Sequence, residues 1–283
     1  MNSIKVSVII PTFNEAHVIK NCIESLLKQT LRSFEIIIID DGSTDATPDV
    51  VANLASKYKA FLTMLRQKHK GPGEARNLGA KQARGKILVF VDADMTFDKE
   101  FLAVLTRPLI KGESKGTFSK EEFVSNWSNV WSRCWNYNQG WEEKRRHNKN
   151  YPDTQKVFRA ILKSEFDRVG GFEKGGHYTD DYLSDKLGYE AKTVPGAVFY
   201  HANPETLQEA FIQAKWAAKR EYKFGKYGII YSMFRSCLPV SIIVGFVKSI
   251  MNFEPRFLFF KLGYDLGAFI GLLEILFSDK HGK

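Results

Sequence analysis

Apolar runs and helix-like apolar spacings alternate along the first third of the chain. Short runs almost free of polar residues predict strands over 5–10, 34–39, 62–65 and 87–91. Between them, the apolar spacing predicts three helices. The first follows Asn14, which we expect to cap it, the second follows Pro48, and the third extends over 73–83. Strands without polar alternation are typical of parallel sheets covered on both faces. The pattern therefore predicts a doubly wound, mainly parallel α/β sheet.

Acidic side chains stand where the predicted strands end. In open α/β sheets, ligands bind at the carboxyl ends of the strands. Converging carboxylates repel one another unless a cation, a base edge or sugar hydroxyls lie between them. Hard oxygen ligands of this kind are typical of Mg²⁺ or Mn²⁺ that holds a diphosphate. The strand-end carboxylates are Asp40, Asp41, Asp92 and Asp94, whereas we interpret Asp45 as a local cap.

Composition excludes several classes of protein. The chain has 283 residues, 44% apolar and 26% charged, which is typical of a globular protein and not of a disordered chain, a coiled coil or a disulfide-stapled miniprotein. Cys22, Cys134 and Cys237 lie too far apart for a thiolate metal site, and their sparse, odd count is typical of a reducing compartment. We expect no signal peptide, because strand-like sequence starts almost at Met1.

Two common nucleotide-binding motifs do not occur in the sequence. The loop behind the first predicted strand, 12–15, holds no glycine, which argues against a dinucleotide-binding dehydrogenase. The P-loop pattern GxxxxGK[ST] is found nowhere. Instead, Gly71 and Gly73 flank a proline, and glycines there let the backbone approach a ligand closely. Arg76, on the helical turn that follows, is placed to contact an anion.

The net charge of +9 is concentrated in two basic stretches, 144–146 and 215–226. One interpretation is a solvated face. The other is attraction to an anion, which could be a nucleotide diphosphate, a phospholipid surface or a nucleic acid. Because the second stretch directly precedes the most apolar part of the chain, the pattern favours a membrane surface over nucleic acid.

Two apolar segments, 238–251 and 257–277, form that part of the chain, with a turn predicted at 254–256. Neither is a clean span of about 20 uncharged residues. Three interpretations stay open: two short or tilted spans, a helical hairpin in the membrane interface, and a soluble cap or dimer interface. We favour membrane attachment.

Aromatic residues recur with near-helical spacing over 127–141. The simpler interpretation is a stripe that packs into a core or an interface. The alternative is a platform for a sugar or lipid acceptor, since aromatic faces stack on apolar surfaces.

Four stretches together resemble family-two glycosyltransferases of the GT-A fold. They are VSVIIPTFNE, EIIIIDDGSTD, GPGEARNLGAKQARGKILVFVDAD and GGF…TDDYLSDKLGYE. In this order and at this spacing, the four stretches cover 5–200, about two thirds of the chain. The resemblance implies a GT-A domain over 1–228, with a nucleotide-sugar-binding half at 1–95 and an acceptor half at 96–228. The apolar hairpin 229–283 would follow it.

The resemblance also implies a nucleotide-diphosphate sugar as donor and Mn²⁺ or Mg²⁺ as cofactor. Asp94 would bind the metal that bridges the phosphates, and Asp92 would reach the ribose. His201 is either a further metal-facing group or a structural histidine. The other nucleotide-binding residues that the resemblance implies are Thr12, Glu15, Asp41 and Arg76, with Asp41 accepting from the base edge.

By the same resemblance, Asp181 is the general base. The family carries a Glu–Asp pair near the acceptor, and this chain has Asp180 and Asp181 there. Inversion at the anomeric carbon needs a base on the face opposite the leaving nucleotide, where it takes the proton of the acceptor hydroxyl. Asp180 is either part of this site or a helix cap.

These expectations combine into an inverting, metal-dependent sugar transferase attached to the cytoplasmic face of the cell membrane. Its acceptor would be lipid-linked or a glycan, and we expect no nucleic-acid partner. The alternative is a non-catalytic sugar-nucleotide or glycan-binding module on the same fold, which would not need Asp181. A nucleotidyltransferase is a third hypothesis, but it would normally carry a glycine- and basic-rich loop behind the first strand.

Overall fold

The computed structural model describes residues 4–148, 150–173, 179–219, 222 and 224–277, with the side chains of 179–181 left out. Strands and helices alternate over most of this range. The strands are β1 (Val6–Thr12), β2 (Phe34–Asp40), β3 (Leu62–Arg66), β4 (Ile87–Phe90), β5 (Met95–Phe97), β6 (Gly116–Phe118), β7 (Glu122–Val124), β8 (Thr154–Gln155), β9 (Ala160–Leu162), β10 (Ala191–Thr193) and β11 (Phe199–His201).

The helices fall into a first group interleaved with the strands and a second group that closes the chain. They are α1 (Ile19–Leu27), α2 (Thr47–Lys57), α3 (Pro72–Gln82), α4 (Phe101–Ile110), α5 (Val130–Gln139), α6 (Lys163–Arg168), α7 (Thr179–Leu187), α8 (Leu207–Ala217), α9 (Gly225–Arg235), α10 (Leu238–Met251) and α11 (Phe257–Phe277).

Two compact units make up the chain. Unit 1 comprises 1–122 and 150–201, and unit 2 comprises 123–149 and 202–283. This division by compactness differs from the predicted division at residue 228, because 123–149 and 202–228 group with the C-terminal helices. The predicted domain bounds thus stay a prediction.

Unit 1 is built on a large, mainly parallel sheet with the strand order β3-β2-β1-β4-β9-β6-β10-β8. β3, β2, β1 and β4 are parallel neighbours, and the register places Ile9 beside both Ile37 and Phe90. β9 runs antiparallel to β4 and β6. The predicted strands and the α/β class are confirmed.

Both faces of this sheet are buried, which explains why its strands lack polar alternation. Val8 and Ile36 face one hydrophobic cluster, which α1, α2 and α4 cover. Ile9 and Ile37, the next residues along, face a second cluster, which α3, α6 and α7 cover. Successive side chains of a strand point to opposite faces, so a doubly covered strand must be apolar at every position.

A buried carboxylate links the amino ends of the central strands. Glu35, near the start of β2, accepts from Ser7 Oγ at 2.7 Å and from the backbone nitrogen of Arg84 at 2.8 Å. Its other oxygen accepts from Arg84 Nε at 2.8 Å. Glu35 is only 3% exposed, and these partners satisfy the charge that burial would otherwise penalise.

The prediction that Asn14 caps the first helix is wrong. α1 begins at Ile19, with Val18 at its N-cap position. Asn14 has a positive φ of 59°, and its side chain accepts from the backbone nitrogens of Thr44 and Asp45. Asn14 therefore ties together two loops at the carboxyl ends of β1 and β2. Asp45 is local, as interpreted, and accepts from the backbone nitrogen of Thr47 at 2.9 Å.

Unit 2 is helical, and α10 and α11 match the predicted apolar segments. α11 packs closely on α8, because a Cβ at Gly267 or Gly271 would overlap backbone oxygens of Phe211 or Lys215. In the aromatic stripe, Trp135 is 8% exposed and contacts aromatic residues of α11, so the core interpretation is confirmed there.

By length and composition, no single helix within the described ranges qualifies as a membrane span. α9 and α10 together pass the same test, but they are bent by 59° at the break between them.

Candidate functional site

The carboxyl ends of β1, β2 and β4 meet at one edge of the sheet, and the structure gives their carboxylates different surroundings. Asp40 is fully buried, accepts from the backbone nitrogen of Ser43 and pairs with Arg66 Nε at 2.9 Å. It is a structural residue that fixes the loop behind β2. The expectation that Asp40 converges on a ligand together with Asp41, Asp92 and Asp94 is therefore wrong.

Asp41 is 2% exposed, and groups of its own chain surround its carboxylate. Oδ1 accepts from the side chain of Gln67 at 2.6 Å and from the backbone nitrogen of Lys70 at 2.9 Å. Oδ2 accepts from the backbone nitrogen of Gly71 at 2.8 Å and lies 3.0 Å from His69 Nδ1. Asp41 thereby holds the 67–71 loop that starts α3. Its predicted bond to a base edge stays a prediction.

Thr12 is also turned into the fold. It is 2% exposed, and its hydroxyl donates to the backbone oxygen of Ile39 at 3.4 Å. Its backbone oxygen accepts from the nitrogen of Asp41 at 2.8 Å. Phe13, the next residue, is 41% exposed, and its ring lies 4.2 Å from that of His69. A pair of aromatic rings, tilted by 31° to each other, therefore stands at the edge where Thr12 was expected to meet a nucleotide.

Asp92 lies between two guanidinium groups. Arg76 Nη2 donates to Oδ1 at 2.8 Å, and Arg159 Nη1 lies 3.4 Å from Oδ2. Burial alone would raise the pKa of Asp92, but Arg76 and Arg159 outweigh it and hold that pKa well below its usual range. Asp92 is therefore an anion with a fixed orientation. Arg76 reaches this position because it lies on the second turn of α3, which starts at Pro72.

Asp94 and His201 meet because β5 and β11 pair antiparallel, with His201 opposite Met95. His201 Nε2 lies 2.7 Å from Asp94 Oδ2. On the other side of the ring, Nδ1 lies 2.9 Å from Oε1 of Glu122. An imidazole that donates from Nδ1 to a carboxylate presents the Nε2 lone pair to a metal ion, an arrangement typical of metal-binding histidines.

Glu15 lies in the field of the same acidic groups. Its backbone nitrogen donates to Thr47 Oγ1 at 2.8 Å, which positions it behind β1. Burial, together with the charges of Asp94, Asp92 and Asp45, raises the pKa of Glu15 to about 7. Burial is the largest cause of this shift, and the neighbouring carboxylates add to it; negative charge gathered at this edge of the sheet favours a cation.

The donor set fits a divalent ion. Among the residues that the structure describes, no group of three or more His, Cys, Asp or Glu side chains is arranged to hold a metal ion, so the protein would supply at most two such ligands. Asp94 and His201 supply one carboxylate oxygen and one imidazole nitrogen, which are ligands that Mn²⁺ accepts. A site with two protein ligands leaves positions open for phosphate oxygens and water.

The predicted base falls at the edge of the described residues. The backbone of Asp181 lies in the first turn of α7. The side chains of Asp180 and Asp181 lie outside the described part of the chain. Their proposed roles stay predictions.

Sequence reasoning gave no role to Arg159 or Glu122. Arg159 precedes β9, and only the antiparallel pairing of β9 with β4 carries it to Asp92. Glu122 starts β7, a strand of three residues without a recognisable pattern. The available signal for Arg159 was a charged residue next to an apolar strand, which is informative only once the strand order is known.

Comparisons with known proteins identify the family to which this chain is similar. The family model "Glycosyl transferase family 2" matches residues 7–171, more than half of the chain. The "Probable glycosyltransferase YdaM" of Bacillus subtilis is 27% identical over 241 residues, which cover 79% of this chain and 57% of that protein. The "Uncharacterized glycosyltransferase YibD" of Escherichia coli is 45% identical over 95 residues, which cover 33% of this chain and 27% of that protein.

The match to the first curated relatives is partial, since it covers only 17% to 31% of their lengths. One further relative is the "Poly(ribitol-phosphate) beta-N-acetylglucosaminyltransferase TarS" of Staphylococcus aureus. It is 39% identical over 100 residues, which cover 35% of this chain and 18% of that protein.

Solved structures share the fold. TarS 1-349 in complex with UDP-GlcNAc has a TM-score of 0.58 at 20% identity, over 76% of this chain and 64% of that one. The mannosyltransferase PcManGT of Pyrobaculum calidifontis, in complex with GDP-Man and Mn²⁺, has a TM-score of 0.62 at 20% identity, over 99% of this chain and 89% of that one. The predicted GT-A fold is confirmed. On the extent of the family match, this chain belongs to glycosyl transferase family 2.

Proposed function

We propose that the protein transfers a sugar, with inversion, from a nucleoside-diphosphate donor to a lipid-linked or glycan acceptor. The observation that carries this proposal is the clustering of Glu15, Asp92, Asp94 and His201 at the carboxyl edge of the sheet, with Arg76 beside them. Relatives and structural neighbours whose names or titles carry UDP-GlcNAc, GDP-Man and Mn²⁺ support it.

In this proposal each described residue has a defined task. Asp94 and His201 would hold Mn²⁺ or Mg²⁺, and Glu122 keeps the imidazole turned toward it. When bound, the ion neutralises the charge that develops on the departing diphosphate. Asp92, held by Arg76 and Arg159, accepts from ribose hydroxyls. The exposed ring of Phe13, which packs against His69, offers an aromatic face on which the base can stack.

Asp181 completes the chemistry as the general base. It takes the proton of the acceptor hydroxyl while the hydroxyl oxygen bonds to the anomeric carbon, and the bond from that carbon to the diphosphate breaks. Attack from the face opposite the leaving group inverts the configuration. A pure binding module would gain nothing from a carboxylate at this position.

Unit 2 attaches the enzyme to the cytoplasmic face of the membrane in this proposal. α9 and α10 expose a set of large apolar side chains that water solvates poorly. The largest exposures on these helices are Tyr227 83%, Phe234 66%, Leu238 65%, Ile243 64% and Met251 71%. Basic side chains such as Lys226 and Arg235 lie among them, which is typical of a helix pair that lies on anionic lipid.

The experiment that tests the proposed transfer reaction combines binding with turnover. A panel of nucleoside-diphosphate sugars is screened by thermal shift with and without Mn²⁺, and donor hydrolysis is then followed for the sugar that stabilises the protein. Ligand at about 100 times its dissociation constant should stabilise the folded state by about 2.7 kcal/mol. We expect this only with Mn²⁺, and not in Asp94→Asn.

Asp181→Asn should keep the Mn²⁺-dependent stabilisation and lose turnover. The matched control is Asp185→Asn on the same helix, since Asp185 is 69% exposed and pairs with Lys156. Turnover at the normal rate by Asp181→Asn would overturn the assignment of the base. Failure of every donor to stabilise the protein would overturn the proposed transferase.

A further inference from the structure

Unit 2 contains a polar cavity of about 260 Å³ whose lining comes from four of its helices. Small side chains form part of its lining: Ala214 and Ala217 of α8 and Ala268 of α11. Ser232 and Arg235 of α9 and Lys261 of α11 supply polar groups. Hydroxyls, a guanidinium and an ammonium that line one cavity are hydrogen-bond donors for an anion.

Among the described residues that line this cavity, two side chains are cationic and one is anionic. Lys261 Nζ pairs with Asp265 Oδ1 at 2.7 Å, and the other oxygen of Asp265 accepts from Ser241 Oγ at 2.6 Å. Arg235 lines the same cavity, and no carboxylate pairs with it among the residues that the structure describes. Nearby, Lys248 Nζ donates to the backbone oxygen of Tyr137 at 2.8 Å.

Two of these cations act on the third. Burial, with the charges of Lys261 and Arg235, lowers the pKa of Lys248. Among the described residues of the cavity lining, Asp265 is the single carboxylate. A bound anion would relieve the repulsion between the cations and gain charge-assisted hydrogen bonds.

A second cavity, of about 290 Å³, lies against the first, and Ser236 lines both. Its other lining is mostly apolar and includes Leu262 and Phe269. Leu238 and Leu266, which also line it, are 65% and 55% exposed. The cationic cavity and the mostly apolar cavity therefore adjoin at Ser236, and exposed apolar side chains belong to the lining of the second one.

We propose that these two cavities bind one anionic membrane lipid, with its phosphate headgroup at Arg235 and Lys261 and the start of its chain along Leu262 and Phe269. The combination selects an amphiphile, because a free phosphate would leave the apolar cavity empty and a neutral lipid would leave the charge of Arg235 without a counter-ion. This inference rests on the proposed attachment of unit 2 to the membrane and is independent of the transfer reaction.

Calorimetric titration of the whole protein tests the site without a membrane. The probes are monomeric dihexanoyl phosphatidic acid, the matching phosphatidylcholine, and inorganic phosphate. We expect the phosphatidic acid to bind at least about tenfold more tightly than either of the others, which corresponds to about 1.4 kcal/mol.

A matched pair of variants on α9 tests the position of the headgroup. Arg235→Gln and Lys226→Gln each remove one exposed positive charge, and only Arg235 lines the cavity. Arg235→Gln should weaken phosphatidic acid binding about tenfold, while Lys226→Gln changes it less than about twofold. Ser236→Phe, which fills the junction of the two cavities, should abolish binding. Equal loss in both α9 variants would overturn the proposal.

Three further outcomes are decisive. Equal affinity for phosphatidic acid and phosphatidylcholine, or for phosphatidic acid and inorganic phosphate, would overturn the lipid-phosphate site. Vesicle binding without binding of the short-chain lipid would overturn the site and leave the membrane attachment standing. The last outcome is that the short-chain lipid binds, that Ser236→Phe abolishes this binding, and that the protein does not pellet with vesicles. This outcome would support the site and overturn the attachment.

Discussion

Arg159 Nη1 lies 3.4 Å from Asp92 Oδ2, although 67 positions of the chain separate the two residues. Arg76 Nη2 holds the other oxygen of Asp92 at 2.8 Å. Because each carboxylate oxygen has its own guanidinium, groups from opposite sides fix the orientation of Asp92. Arg159 is therefore a positioning residue for Asp92, and this role gives it a measurable effect on the nucleotide.

Replacing Arg159 with methionine keeps the length of the side chain and removes its charge. We expect the dissociation constant of UDP or GDP with Mn²⁺ to rise about tenfold, since a hydrogen bond to a charged group contributes about 1.5–3 kcal/mol. KM for the donor should rise more than kcat falls. Arg159→Lys should restore part of the affinity, because one donor reaches Asp92 in the native contact. Unchanged affinity in Arg159→Met, measured by calorimetry, would refute the positioning role.

Glu122 should control metal affinity through His201. Glu122→Gln leaves a weaker, neutral acceptor for Nδ1, so the ring loses the carboxylate that orients it. Removal of such a partner typically lowers metal affinity about 10–100-fold. Mn²⁺ titration followed by electron paramagnetic resonance measures the change. Glu121→Gln is the control, because Glu121 accepts from the backbone nitrogen of Gly196 instead. The same Mn²⁺ affinity in Glu122→Gln and Glu121→Gln would contradict this prediction.

Glu15 should make the folded protein less stable as the pH rises. Its pKa is about 7 in the fold against an ordinary 4.5, so the folded state binds this proton more tightly than the unfolded state does. The cost of ionising Glu15 is absent below about pH 4.5 and complete above about pH 7. Glu15→Gln should therefore raise Tm at about pH 8.5 and leave it nearly unchanged at about pH 4.5.

Calorimetric scans in EDTA measure this difference, because a bound cation would change the charge around Glu15. Glu24→Gln, on the exposed side of α1, controls for the loss of one negative charge. An equal rise in Tm at both pH values would show that ionisation of Glu15 is not the cause.

Acidic substitutions on α10 should release the protein from membranes. Ile243 and Phe246 are 64% and 58% exposed, and transfer of such a side chain out of water contributes about 1.5–3 kcal/mol. We expect Ile243→Glu with Phe246→Glu to lower partitioning into anionic vesicles about tenfold or more, measured by co-sedimentation. Ile110→Glu in unit 1, at a side chain that is 48% exposed, should have no effect. Loss of sedimentation in the Ile110 variant alone would contradict the assignment of the face.

Two helix glycines should respond oppositely to alanine. A Cβ at Gly79 would lie 2.6 Å from Ile9 Cγ2 and 2.7 Å from Ile39 Cδ1, so Gly79→Ala should cost about 1–3 kcal/mol of unfolding free energy. At Gly263 the nearest atom is Leu207 Cδ2 at 3.9 Å, so Gly263→Ala should stabilise by about 0.5–1 kcal/mol. Urea denaturation measures both, and destabilisation by both variants would refute the proposed difference in packing.

The core of the fold could be predicted because its signals are local. A strand buried on both faces must be apolar throughout, so β1, β2 and β4 are visible as runs, and Asp92 stands out as the polar residue that follows one of them. α10 and α11 can also be predicted from a local signal, because the composition of the chain changes abruptly at their ends.

The remaining features depend on pairing between distant segments. Arg159 reaches Asp92 only because β9 inserts antiparallel beside β4, and no periodicity encodes that choice. Glu122 reaches His201 from a strand too short to carry a pattern. Asp40 looks equivalent to Asp41 in the sequence, and only the position of Arg66 on the neighbouring strand distinguishes them.

The contact between Glu35 and Arg84 at the amino ends of the strands stabilises the sheet at a distance from the candidate site. The contacts that fasten β1 and β2 there lie at the pole of the sheet opposite the loops that hold Asp41, Asp92 and Glu15. Loops at the far pole can therefore exchange residues during evolution without loosening the sheet. Under the proposed function, 13–15 and 67–71 are the positions to vary for a different donor, while Glu35 and Arg84 stay unchanged.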